Sequence, residues 1–345
     1  MARIGIDCRF ASALAGLGTY TRSIVPPLLE YLKDHDCLLI VRSLDEEWLR
    51  CTPTSVRVVL DAPHYSFSEQ LLLPRRLKEL SIDLLYSPHF NVPLFPGVPF
   101  VCTVHDLTLH HYPNSAGRIK QLAYRIVMRR AVTRAREVIT VSQFTQQDVQ
   151  KHYGVWSHHV TEGYGPEFTR LSTSTVQAVC SSYGLLGSYF LYVGGSNEQK
   201  NLQMLIDAHK ASSTDIPLVL VSGGKGLSSL SLHDSVHLLC DVPHYDLPAL
   251  YNGATCFVTA SLYEGFCLPI LEARACGTPI IAANTTAIPE VAGEHAVLVS
   301  PTVSNISEAL SCPPNKADLP DAQYSWEHAA SEISSILTDA LKKTV

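Results

Sequence analysis

Residues 260–279, ASLYEGFCLPILEARACGTP, place two acids, Glu264 and Glu272, eight positions apart across a Gly-Phe-Cys-Leu-Pro turn. A proline in the first turn and a glycine just past the last bound a helix at about Leu268–Cys276. Glu264 then stands on the loop ahead of the helix and Glu272 one turn inside it. The N–H groups of residues 265–270 face whatever lies in front, and such an array binds an anion without a positive side chain. A carboxylate at each end suits a ligand with phosphates in the middle and hydroxyls at both ends, as in a sugar nucleotide. Taken alone, Glu264 reads as a complement to the helix dipole and Glu272 as part of a solvated face. Neither reading accounts for both acids together with the Gly-Phe pair.

On either side of this stretch, short apolar or β-branched runs alternate with helix-like segments. Strands are expected at Arg3–Asp7, Cys37–Val41, Val56–Leu60, Leu84–Ser87, Phe100–Val104 and Val138–Val141. A second set follows at Phe190–Val193, Leu218–Val221, Val236–Leu239, Cys256–Thr259, Ile280–Ala282 and Ala296–Val299. Such alternation predicts an α/β fold with parallel sheets covered on both faces. Gly and Pro cluster at Thr161–Glu167, which reads as a linker between two Rossmann-like domains, 1–165 and 166–345. Ser325–Leu341 has helical periodicity with a broad apolar face.

At 345 residues the chain has room for two domains, each with its own core. The opening MARIGIDCRF reads as a strand rather than a signal peptide, and no apolar run reaches transmembrane length, so a cytoplasmic location is expected. The ten cysteines are scattered singly, with no CxxC pair and no histidine at zinc-ligand spacing; they read as buried apolar residues, and no structural metal is expected. Residues 1–165 hold 18 Lys+Arg against 15 Asp+Glu and residues 166–345 hold 8 against 17, or +3 and −9. An acidic domain must bind a diphosphate locally, through helix N-termini and a placed cation. General nucleic-acid binding is disfavoured.

The motif EGFxLPxLEAxACGTPxI resembles the family 4 retaining glycosyltransferases of GT-B fold, two Rossmann-like domains facing an interdomain cleft. The resemblance covers nearly the whole chain. It implies an acceptor-side domain at 1–165 and a nucleotide-sugar domain at 166–345, with the terminal helix at about 325–341 returning to the first. By the same resemblance Glu272 holds the donor ribose and Glu264 the sugar hydroxyls, with backbone groups of Gly265, Phe266, Cys267 and Leu268 completing the sugar site. The expected reaction moves a hexose, with mannose from GDP-mannose the best match, to a glycan or lipid-linked glycan with retention. No cofactor and no metal are expected, the nucleotide-sugar being a substrate.

Ligands in open α/β sheets sit beyond the carboxyl ends of the strands, and the loops there carry further candidates. After the first strand, Gly16 and Gly18 open a helix; a tight turn without ligand is as good a reading of the residues, and the resemblance adds a donor-facing GxGxY loop. His105, in Thr103–Leu107, matches the family's HD motif and would contact the transferred sugar, while Asp106 reads as a cap. Ser142 reads as a helix N-cap. Gly194-Gly195-Ser196-Asn197-Glu198-Gln199-Lys200-Asn201 resembles the family's GxxxxxKN loop, in which Lys200 would neutralise the donor β-phosphate. Relatives place an arginine where Gly195 or Gln199 stands, so one cation is missing; Arg9, Arg22 and Arg274 are candidate replacements. Gly224, in a GGKG loop, could border the base, though a surface turn fits equally.

Between Arg118 and Arg136 lie seven basic residues and no acid, interleaved with Leu122, Ile126, Val127 and Val132. This segment reads either as a solvated basic face or as a peripheral contact with the anionic inner face of a membrane. Two rivals to transfer stand beside it. One is a sugar-nucleotide hydrolase or epimerase, and the other a non-catalytic nucleotide-sugar-binding scaffold kept alive by the absent arginine.

Overall fold

The computed structural model describes residues 1–343 except 14, 15, 54–56, 114–116, 224, 225 and 316. It divides into two compact units, Met1–Gly163 with Gln323–Val345, and Tyr164–Ala322.

The first unit runs β1 (Arg3–Asp7), α1 (Gly16–Tyr31), β2 (Asp36–Val41), β3 (Arg57–Val59), α2 (Phe67–Glu79), β4 (Leu84–Ser87), β5 (Phe100–Val104), α3 (Thr108–His111), α4 (Arg118–Arg134), β6 (Glu137–Thr140), α5 (Gln143–Tyr153) and β7 (His158–His159). Its strands form one parallel sheet in the order β3-β2-β1-β4-β5-β6-β7. β4 and β5 are buried along their whole length, as a strand covered on both faces must be. Leu73 and Leu77 of α2 and Met128 and Val132 of α4 pack with Leu85, Cys102 and Val104 in one core. β7 has no counterpart among the expected strands, because two histidines at a sheet edge carry no apolar alternation.

The second unit runs α6 (Thr173–Ser182), β8 (Phe190–Val193), α7 (Leu202–Ala211), β9 (Leu218–Val221), β10 (Val236–Leu239), α8 (Leu247–Gly253), β11 (Cys256–Thr259), α9 (Leu268–Cys276), β12 (Ile280–Ala283), α10 (Ile288–Ala292), β13 (Val297–Val299) and α11 (Val303–Ser311). Its parallel sheet has the order β10-β9-β8-β11-β12-β13. The order reverses between β8 and β11, and a crevice opens at such a switch point beyond the strand ends. Phe190, Leu220 and Val258 of the sheet pack on Leu205 and Ile206 of α7 and Ile306 and Leu310 of α11.

The unit ends at Ala322 because the final helix, α12 (Trp326–Lys342), buries Ala329, Ala330, Ile333 and Leu337 in the first unit. There it packs on α1, with Trp326 edge-on to Tyr20 at 5.6 Å between ring centroids. Arg136 donates to the Ala340 carbonyl at 2.7 Å and ties the same helix to the end of α4.

Candidate functional site

At the switch point of the second unit, the loops after β8, β11 and β12 are tied together. The Leu262 N–H donates to the Gln199 carbonyl at 2.7 Å, and Asn201 Nδ2 to the Ala260 carbonyl at 3.3 Å. Thr285 Oγ1 donates to the Ser261 carbonyl, and the Glu264 N–H to Thr286 Oγ1 at 3.0 Å. Asn201 holds φ 56°, the left-handed region that asparagine tolerates better than most residues, and caps the start of α7 there. The second residue of the Lys-Asn pair therefore has a structural task, joining one loop to the next.

These ties bring Lys200 and Glu264 into contact. The Lys200 ammonium donates to both Glu264 carboxylate oxygens, at 2.6 and 2.8 Å. Burial on its own lowers the lysine pKa, but the Glu264 charge outweighs it and holds the ammonium above its ordinary value. Removing either partner would strand a largely desolvated charge.

α9 begins and ends where its proline and glycine place it. Cys267, its N-cap, holds φ 88°, and Gly277 closes the helix at φ 75°. Among the described residues, no side chain caps the N-terminus. The expected row of open N–H groups stops short of residue 270, since Ile270 donates to the Cys267 carbonyl at 3.0 Å. Phe266 and Cys267 bury their side chains, and burial raises the Cys267 thiol pKa, so it stays neutral.

Glu272 sits one turn into α9, 8% exposed, with the Tyr251 hydroxyl donating to Oε2 at 2.8 Å. Burial pushes its pKa up to about 7, against the pull of the tyrosine hydrogen bond. Tyr251 comes from α8, far enough upstream that nothing in the sequence signals the pairing. The other glycines have distinct tasks. Gly195 is not in the left-handed region, and a built Cβ meets only Asn197 Nδ2 at 4.0 Å. At Gly194 a Cβ would strike the Tyr192 hydroxyl at 2.7 Å. Gly224 lies outside the described residues.

The candidate replacement cations are otherwise engaged. Arg9 is fully buried, bound to Asp7 at 2.7 and 2.8 Å and to Glu69 at 2.8 Å. Arg274 donates to the Val291 and Leu319 carbonyls at 2.8 and 2.9 Å. Arg22 holds the Ala11 and Ala13 carbonyls beside the GxG turn. Lys200 is the cation that the loop ties bring to Glu264.

In the first unit, Gly18 is required by packing, because a Cβ would lie 1.9 Å from the Ala13 carbonyl oxygen, whereas Gly16 has open space around it. Asp106 accepts from the Thr108 N–H at 2.7 Å, and Ser142 caps α5 by accepting from the Thr145 N–H. His105 uses both ring nitrogens, Nδ1 with the Glu162 carboxylate at 3.1 Å and Nε2 with the Pro88 carbonyl at 2.8 Å. Both partners are acceptors, so the ring that satisfies them is an imidazolium. Burial opposes that charge, but the Glu162 contact prevails and raises the pKa. The sugar contact expected of His105 therefore requires it to release one of these bonds. Glu162 and the neighbouring His89, whose own pKa burial lowers, were not among the sequence candidates, although His89 stands in a strand-end loop.

Two family descriptions match the chain, "Glycosyltransferase Family 4" at residues 14–162 and "Glycosyl transferases group 1" at residues 187–312. The two matches together mark the chain as a glycosyltransferase of GT-B type. Among curated proteins, this glycosyltransferase is 28% identical over 253 residues to O-antigen chain mannosyltransferase B of Escherichia coli, covering 67% of the chain and 66% of that protein. It is 29% identical over 287 residues to the O-antigen chain mannosyltransferase RfbU of Salmonella typhimurium, covering 81% and 72%. The fold matches sucrose-phosphate synthase from Thermosynechococcus elongatus over the full length of both chains, with a TM-score of 0.77 at 18% identity. The GT-B fold expected from the motif is the one observed. Among the described residues, no helix is long and apolar enough to cross a membrane.

Proposed function

We propose that this glycosyltransferase moves mannose from GDP-mannose to a growing glycan with retention of configuration, on the donor site formed by Lys200, Glu264 and α9. The observation that carries this reading is the Lys200–Glu264 pair at the switch point, ahead of an N-terminus that no side chain among the described residues caps. Lys200 keeps Glu264 and gives its remaining hydrogen to the donor β-phosphate, while Glu264 accepts from sugar hydroxyls. Glu272, once ionised, accepts from the ribose. The mannosyl assignment rests on the names of the two curated relatives.

The acceptor hydroxyl oxygen attacks the anomeric carbon on the face that the diphosphate leaves. The C–O bond to phosphate breaks with its electron pair, and a diphosphate oxygen takes the hydroxyl proton. Lys200 stabilises the charge that grows on the leaving group, so no metal is called for. In the first unit His105 is held between the Glu162 carboxylate and the Pro88 carbonyl, the contact with Glu162 favouring its charged form. The test is turnover on a panel of GDP-, UDP- and ADP-sugars with the product anomer read by NMR. Preference for another nucleotide would refute the donor assignment, inversion the mechanism, and donor loss without product would favour a hydrolase.

The acceptor is lipid-linked in this reading, and α4 meets the membrane. Ile119, Leu122 and Ile126 form an exposed apolar stripe on α4, 87, 62 and 49% accessible, flanked by the exposed Arg118, Lys120, Arg125 and Arg129. Apolar groups between cations suit an anionic bilayer surface. Arg130 and Arg136 are used within the unit, on the Leu94 and Ala340 carbonyls. Co-sedimentation with anionic but not neutral vesicles, lost on Ile119→Asp with Leu122→Asp, is the expected result; equal recovery with both vesicle types would refute it.

A further inference from the structure

α3 and α5 bring His111 beside Asp148 and His152, which lie 37 and 41 positions further along the chain. His111 Nε2 lies 2.8 Å from Asp148 Oδ2, and His152 Nε2 lies 3.2 Å from Asp148 Oδ1. One ligand atom from each residue falls within 4.8 Å of the other two. Asp148 and His152 stand at i and i+4 on α5, which points both at the same neighbour. Two imidazoles and one carboxylate form a donor set suited to a divalent transition ion, and nitrogen ligands disfavour calcium and magnesium. With ligand bonds of about 2.0–2.1 Å, tetrahedral donors sit about 3.3 Å apart. The two histidine–aspartate separations, 2.8 and 3.2 Å, lie near that spacing, and all three ligand atoms lie within 4.8 Å of one another.

Two further observations bear on the cluster. The His152 Nε2 contact with Asp148 lacks hydrogen-bond geometry, and among the described residues this buried atom has no other hydrogen-bond partner. His110 lies 4.1 Å from the His152 ring between centroids, and its buried Nδ1 is likewise without a hydrogen-bond partner. Arg125 acts electrostatically on His110, so the site faces a neighbouring positive charge. A weakly held cation would be repelled by it, and binding must rest on imidazole donor strength.

We propose that His111, Asp148 and His152 bind one divalent transition-metal ion, with zinc the best match, and that the ion clamps α3 to α5 in the first unit. Water or His110 completes the tetrahedron. The ion lies outside the donor site and takes no part in transfer. The sequence reading expected no structural metal because its spacing rules look for Cys and His pairs along one segment; this set spans two helices and uses an aspartate.

The test uses the full chain, stripped with chelator and titrated with Co²⁺ while the visible d–d bands are followed. A saturable spectrum at one ion per chain is expected, without thiolate charge transfer. His152→Ala and Asp148→Asn should each weaken binding by about a hundredfold or more, above the loss seen for second-sphere changes. Zn²⁺ should raise the Tm of the wild type and not of these variants. Should a buried substitution prevent folding, His111→Gln, on the more exposed of the two rings, serves in its place. The proposal is overturned by the absence of a saturable signal, by a thiolate band, or by variants that fold and bind as the wild type does.

Discussion

Glu272 shows what the binding role proposed for it would cost the residue. Its pKa, about 7 in the folded protein, lies above the ordinary carboxylate value of 4.5, so protonation favours the fold. That stability is complete below about pH 4.5 and is lost as pH rises through 7, a swing of about 3 kcal/mol. Glu272→Gln removes the buried charge and leaves Tyr251 an acceptor. It should raise the Tm at pH 8 by several degrees and leave it unchanged at pH 4.5, while weakening donor binding roughly ten- to a hundredfold. Melting curves across that range check the first part, and a pH-independent difference would show that the charge is not the cause. In the wild type, donor affinity should fall below pH 7, because the ribose hydroxyls need the ionised acid. Lys200 yields a second prediction. Its loss should lower kcat/KM about ten- to a hundredfold, one charge-assisted bond tightening with leaving-group charge. Gly195→Arg should restore part of that in the double variant, since among the described residues a Cβ there meets nothing nearer than Asn197 Nδ2 at 4.0 Å. A double variant no better than Lys200→Ala would place the missing cation elsewhere.

At the scale of elements, what could be read from sequence follows how local the cause is. α9 could be bounded because Pro269 and Gly277 act on their own backbones, and the long strands because burial on both faces makes them continuously apolar. The partner of Glu272 could not be read, since Tyr251 reaches it from α8 through tertiary packing. Arg9 misled for the same reason, for its commitment to Asp7 and Glu69 appears only when α2 is laid beside β1. The GxG turn carried two open readings, and the structure separates its glycines. Gly18→Ala would drive a methyl group into the Ala13 carbonyl and should destabilise the chain by about 1–3 kcal/mol, whereas Gly16→Ala has room. Urea unfolding of both variants checks this. An equal loss at the two positions would mean that helix start geometry, rather than close approach, sets the requirement.

For the whole molecule, the division of charge bears on how each unit meets its ligand. The residues up to 165 sum to +3 and the remainder to −9, so the proposed diphosphate site lies in the acidic part of the chain. The long-range field there repels the donor, and attraction must come from contacts at Lys200 and α9. The Debye length falls from about 10 Å at 0.1 M salt to about 3 Å at 1 M, which removes the repulsion but leaves a partly buried ion pair largely untouched. GDP-mannose affinity should therefore change by no more than about threefold over that range, any change being toward tighter binding. The proposed vesicle binding through α4 should change in the opposite sense, its exposed cations being screened as soon as salt rises. Calorimetric titration of the donor and vesicle sedimentation at both salt concentrations give the comparison on one preparation. A hundredfold loss of donor affinity at 1 M salt would mean that long-range attraction carries the binding, and the diphosphate would then have to sit against the basic first unit instead of Lys200.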